Sequence, residues 1–169
     1  MKKRAVWTVL PAVSLTALLG PGMAASAAPA KVSGSAALAL AGVVAAHSPV
    51  MSSTDRRVMA RVLAGGAVTF SAGRKISVAA KSVACRTGTA DIASRTCELA
   101  FEDRRGERNL TLTGRGAGEL FAALAAAGVA PTEAAGSMLG KVTGLACTID
   151  PNEIRRKAGG GADCTFEKE

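Results

Sequence analysis

Ser82-Val83-Ala84-Cys85 and Cys97-Glu98-Leu99-Ala100-Phe101-Glu102 are echoed later in the chain by Gly144-Leu145-Ala146-Cys147 and Cys164-Thr165-Phe166-Glu167. Each cysteine sits in a short apolar stretch of strand character, so each pair brackets a hairpin-like segment. Four cysteines admit three pairings, and the repeated contexts select Cys85 with Cys97 and Cys147 with Cys164. Each disulfide then closes its own loop, and a loop of about 15 residues contributes roughly 3 kcal/mol on the chain-entropy model. Neither pair has the close Cys-x-x-Cys spacing of structural zinc sites or redox motifs, so two local staples are expected.

The start of the chain reads as a secretory leader. Lys2, Lys3 and Arg4 precede a mostly apolar stretch from Ala5 to Gly20 that Pro11 interrupts, and small residues follow at Ala25-Ser26-Ala27 and Ala28-Pro29-Ala30. The apolar stretch is shorter than the roughly 20 residues that span a bilayer. A signal peptide over residues 1–27 is therefore expected, with cleavage after Ala30 as the alternative. The expected location is exported, periplasmic or extracellular, with no membrane anchor. Loss of the three leader charges leaves 18 basic residues against 13 acidic ones, a net charge of +5. Trp7 leaves with the leader, and the remaining aromatic residues are Phe70, Phe101, Phe121 and Phe166.

The rest divides into an alanine-rich segment, residues 28–52, with a short helix from about Ala36 to Ala46, and a stapled domain over residues 53–169. Ser52-Ser53-Thr54-Asp55 caps an amphipathic helix carrying Val58, Met59, Val62 and Leu63, which Gly65-Gly66 ends. Strands are expected at Ala67 to Phe70, Lys75 to Cys85, Cys97 to Glu102 and Arg108 to Thr113, with a turn at Asp103-Arg104-Arg105-Gly106. A helix follows from Arg115 to Ala127, with Leu120, Phe121 and Leu124 on one face. Helical spacing of Ala134, Ala135, Met138, Leu139 and Val142 predicts another from Pro131 to about Thr143. Strands at Leu145 to Ile149 and Asp163 to Glu167 flank a short helix from Asn152 to Ala158, capped by Asp150-Pro151. The fold class is α+β: one small domain of helix-helix units on an antiparallel sheet. The order helix, helix, strands occurs twice, offset by about 80 residues from Pro49 to Pro131, which points to internal duplication. That order, with one staple per half, loosely resembles the tandem helix-helix-sheet architecture of secreted β-lactamase inhibitory proteins. The resemblance covers element order and cysteine placement, carries no site residue, and implies nothing about function by itself.

Candidate chemistry is sparse. His47 is the only histidine and reads as a solvent-facing helix terminus, which leaves no expected metal site, cofactor or histidine-based catalytic centre. Ser137 and Lys141 would share a helix face, the minimum for a Ser-Lys hydrolase. Gly114-Arg115-Gly116-Ala117-Gly118 is similar to a dinucleotide loop, but Glu119 stands where the third glycine belongs, so a strand-to-helix turn is expected. Basic residues cluster at Arg56, Arg57 and Arg61, at Arg104, Arg105 and Arg108, and at Arg155, Arg156 and Lys157. With Asp55, Asp103, Glu107 and Glu153 interleaved, they read as solvated surface unless the fold gathers them. Arg155, Arg156 and Lys157, together with Arg115, are the candidate anion-binding residues. Nucleic acid is not expected, since aromatic stacking residues are missing. The function expected is a non-catalytic interaction module for an envelope or extracellular protein, which includes inhibition of that protein. The alternatives are an anionic ligand or envelope polymer held by the arginine groups, or hydrolysis by the Ser-Lys pair.

Overall fold

The computed structural model describes residues 28–66, 73–86, 95–129, 131–132, 138–139, 141–157 and 160–169. The expected signal peptide over residues 1–27 and the expected strand at Ala67 to Phe70 lie outside these residues. Twelve elements follow in order: β1 (Ala30–Ser33), α1 (Ser35–His47), α2 (Ser53–Leu63), β2 (Ile76–Arg86), β3 (Thr96–Asp103), β4 (Gly106–Thr113), α3 (Gly114–Ala126), β5 (Pro131–Thr132), β6 (Met138–Leu139), β7 (Val142–Ile149), α4 (Pro151–Arg156) and β8 (Ala162–Lys168). The fold is α+β, as the sequence predicts. Six strands form an antiparallel sheet in the order β1-β8-β7-β2-β3-β4, and the short β5–β6 pair touches the end of β2 where Met138 meets Arg86.

The core forms where α1 and α3 lie across one face of this sheet. Ile76, Val78, Val83, Leu99, Phe101, Leu145, Ile149 and Phe166 point toward the helices and are buried, as are Leu40, Val44, Leu120 and Leu124 on the helices themselves. In β2 the inward alternation slips between Ala80 and Val83, opposite a register shift between Thr143 and Ala146 of β7. The outward Lys81 and Ser82 that break the alternation of β2 thus lie beside the irregularity of the β7–β8 pair. Among the described residues no helix is long and apolar enough to cross a membrane.

Both expected disulfides are present. Cys85 faces Cys97 across β2–β3 and Cys147 faces Cys164 across β7–β8, each with a Cα–Cα distance of 4.0 Å. The helix caps follow their sequence signals. Ser52 accepts the Asp55 N–H at 3.1 Å, and Asp150 accepts from Asn152 and Glu153 at 2.9 and 3.2 Å.

The helix expected from Pro131 to Thr143 is corrected. Met138–Leu139 is strand, and the eight-residue β7 already starts at Val142. Gly136 and Gly140 each weaken a helix by about 1 kcal/mol relative to alanine, and Val142-Thr143 favour the extended backbone that the long edge of β2 can pair. Among the described residues the helix-helix unit therefore occurs only in the first half.

A repeat nevertheless exists, with a different unit: an edge strand, a glycine of positive φ, a 13-residue helix, then a stapled hairpin. β1, Gly34, α1 and β2–β3 form one copy; β4, Gly114, α3 and β7–β8 form the other. Val32 pairs with Cys164 and Leu112 with Cys97, so the two junctions share one register. Cys164 Sγ lies 3.5 Å from the Ala37 carbonyl, and Cys97 Sγ lies 3.4 Å from that of Ala117. At the helix exits, Arg56 donates to the Ser48 carbonyl and Lys168 to that of Gly128, both at 2.6 Å. The edge-strand, glycine and helix positions are eighty apart in sequence, 32 and 112, 34 and 114, 37 and 117, and 48 and 128, whereas the side chains that meet them are not. Each copy gives its edge strand to the other's hairpin, which is why β1 and α1 share the sheet and core of residues 53–169.

Candidate functional site

A sheet with helices on one side leaves its other side open. Ser77, Ala79 and Lys81 of β2, Glu98 of β3, and Ala146 and Thr148 of β7 alternate with the core residues and are exposed on that side. Ala79 and Ala146 face each other near its middle. Over β2, β3 and β4 the surface dips into a depression of about 340 Å³ edged by Arg86, Glu98, Asn109, Thr111 and Lys141. Lys81 and Glu107 form an ion pair at its border.

That pair sets the electrostatics of the face. The hydrogen bond to Glu107, and then its charge, raise the Lys81 ammonium above its ordinary 10.5; the hydrogen bond from Lys81, and then its charge, lower the Glu107 carboxyl below its ordinary 4.5. A depressed carboxylate stabilises above its unfolded pKa and loses that contribution as pH falls through its folded value. A raised ammonium stabilises below its unfolded pKa and loses it as pH rises through its folded value. The pair is solvent-exposed, so its contribution is small. We expect Glu107→Gln to lower the melting temperature slightly and evenly across neutral pH, and the gap from wild type to close in acid. A gap that widened in acid would contradict this sign.

The helical layer carries a second concavity. α1 has no charged side chain before His47 and is apolar on every face, and its outward Ala39, Val43 and Ala46 line a groove of about 520 Å³ with Ala122 and Ala126 of α3. Leu63 of α2 lies over Gly42 and stays 46% exposed. His47 is half-buried beside Gly116 at the start of α3, rather than at a free helix end. Phe121 is capped by Arg95, whose guanidinium stands 4.3 Å from the ring centroid.

The sequence-predicted site residues separate into groups. Arg155, Arg156 and Lys157 are exposed on and just after α4, while Arg115 begins α3 and pairs with Glu119 at 2.8 Å. α4 adjoins the start of β2 through the Ile76–Ile149 pair, whereas α3 begins beyond Thr113, which pairs with Thr96 beside the end of β2. An eleven-residue strand, about 35 Å at 3.3 Å per residue, separates them. Lys141 precedes β7 and pairs with Glu169 at 2.8 Å, while Ser137 lies outside the described residues. No cluster of three or more His, Cys, Asp or Glu side chains able to hold a metal occurs among the described residues. The open face itself was legible only as alternation in β2 and β7; what leaves it open is the placement of both long helices on one side. Comparison with protein-family models, curated proteins and solved structures finds no match to this chain.

Proposed function

We propose that the chain is an exported interaction module that binds another envelope or extracellular protein on the open face of its sheet and transforms no substrate. The observation that carries this reading is the exposed middle of a six-stranded sheet, backed by a stapled core and bordered by the Lys81–Glu107 pair. Export is supported by the leader sequence and by two disulfides, which persist in oxidising compartments. β1 favours cleavage after Ala27, since cleavage after Ala30 would remove a residue that pairs with Phe166.

The test is amine cross-linking of the protein in its exported fraction. The intact mass should start at Ala28, and partner peptides should join Lys31 and Lys81, which face the open side. Ala79→Gln with Ala146→Gln should reduce partner recovery at least tenfold while moving stability by less than about 0.5 kcal/mol per site, as exposed substitutions do. Partner peptides confined to Lys157, or recovery indifferent to both substitutions, would overturn the assignment of this face.

A further inference from the structure

The topology gathers basic residues at one end of the sheet. β2 begins there, β7 ends there, β8 begins there, and the β3–β4 turn lies at the same end. The connections at this end carry Arg74 and Lys75 before β2, Arg104 and Arg105 in the turn, and Arg155, Arg156 and Lys157 on α4, all exposed. α2 joins them through the Arg74–Asp55 ion pair at 3.0 Å and adds Arg57 and Arg61, also exposed, with Arg56. These connections and α2 hold ten of the eighteen basic residues of residues 28–169 but four of the thirteen acids, Asp55, Asp103, Asp150 and Glu153. Three of the four are already occupied, Asp55 by Arg74, Asp103 by the Arg105 N–H and Arg108, and Asp150 by the N–H groups of α4. The remainder, with eight basic and nine acidic residues, is close to neutral. The net positive charge of the chain is therefore concentrated at one end.

The chemistry of the partner follows from what this end lacks. The hot spots of protein interfaces are enriched in tryptophan and tyrosine as well as arginine, packed into desolvated pockets. The only exposed large hydrophobic side chains among the described residues are Val50 and Leu63, and no tryptophan or tyrosine follows residue 27. What remains is an array of cations in which α4 and the β3–β4 turn stand three strand spacings apart, about 14 Å. Such an array suits a chain of repeating negative charges, which binds by releasing its condensed counterions. We infer that this end binds a linear polyanion carrying repeating phosphate or carboxylate groups, at a surface distinct from the open sheet face.

Titrating the mature chain against polyphosphate and against polyglutamate at rising salt tests the inference and separates the two chemistries. Arg155→Gln, Arg156→Gln and Lys157→Gln together should weaken binding to at least one polymer tenfold or more and flatten its logarithmic salt slope by about 2 to 3, at 0.7 to 0.9 per charge. Arg104→Gln with Arg105→Gln should act in the same direction. Removing the same number of charges elsewhere, by Lys31→Gln, Arg86→Gln and Arg115→Gln, should change binding less than threefold. Equal loss from both triple variants, binding indifferent to salt, or capture of a folded acidic protein in preference to both polymers would overturn it. Ala79→Gln with Ala146→Gln should leave polymer binding unchanged, so failure of the open-face reading and failure of this one are read out separately.

Discussion

Replacing Gly161 with alanine is expected to destabilise the protein by about 2 to 5 kcal/mol, the sum of a left-handed backbone penalty and an overpacked contact. Gly161 has φ of 76°, and a Cβ there would stand 2.7 Å from the Asp150 carbonyl oxygen, 2.8 Å from Glu153 Cβ and 2.8 Å from the Ile154 nitrogen. Two of those atoms are backbone, and the Asp150 N–H donates to the Gly161 carbonyl at 2.6 Å, so the crowded groups cannot retreat without opening the turn that returns α4 to β8. Gly42→Ala is the matched comparison. Its Cβ would meet Leu63 Cδ1 and Cδ2 at 2.8 Å, but these are the ends of a half-exposed side chain that can swing outward. Alanine is also better than glycine inside a helix by about 1 kcal/mol. Denaturant titration should therefore show a large loss at Gly161 and little or none at Gly42. Equal losses would show that the crowding at Gly161 is not what holds glycine there.

Removing either disulfide is expected to lower stability by about 2 to 5 kcal/mol, and by nearly the same amount for the two. Their sequence separations are 12 and 17, a difference that loop entropy converts to only a few tenths of a kcal/mol. Their surroundings match as well: both pairs are buried, both bridge directly opposed strands, and each has the other copy's edge strand alongside. Cys85→Ala with Cys97→Ala, and Cys147→Ala with Cys164→Ala, should thus give similar melting temperatures while retaining the helical far-ultraviolet signal, because Leu40, Val44, Leu120 and Leu124 remain packed on the sheet. Loss of one staple that abolished folding while the other cost little would contradict the equivalence of the halves.

The elements legible in the sequence were those with local chemistry. Ser52, Asp55 and Asp150 mark helix starts, Asp103 to Gly106 marks a tight turn, and the cysteine contexts select the pairing. The misses lie where long-range pairing decides. β1 is four residues of ordinary alternation that become a strand only because β8 offers an edge. Pro131 to Thr143 carries helical spacing, yet its last residues extend β7 along β2. The basic clusters were each visible, but only the connection of strand ends shows that Arg104 and Arg105 lie at the same end of the sheet as Arg155, Arg156 and Lys157 while Arg115 stands apart.

The exchange of edge strands makes the Arg104–Arg105 turn the covalent joint between two copies that are each incomplete. Residues 28–103 contain β1, β2 and β3, but β1 has nowhere to pair within that stretch, since its neighbour β8 belongs to the other copy. Severed at the turn, the two pieces would have to find each other to build one sheet, and assembly would depend on concentration. Two residues thus hold the copies at a high effective concentration and turn an association between chains into the folding of one.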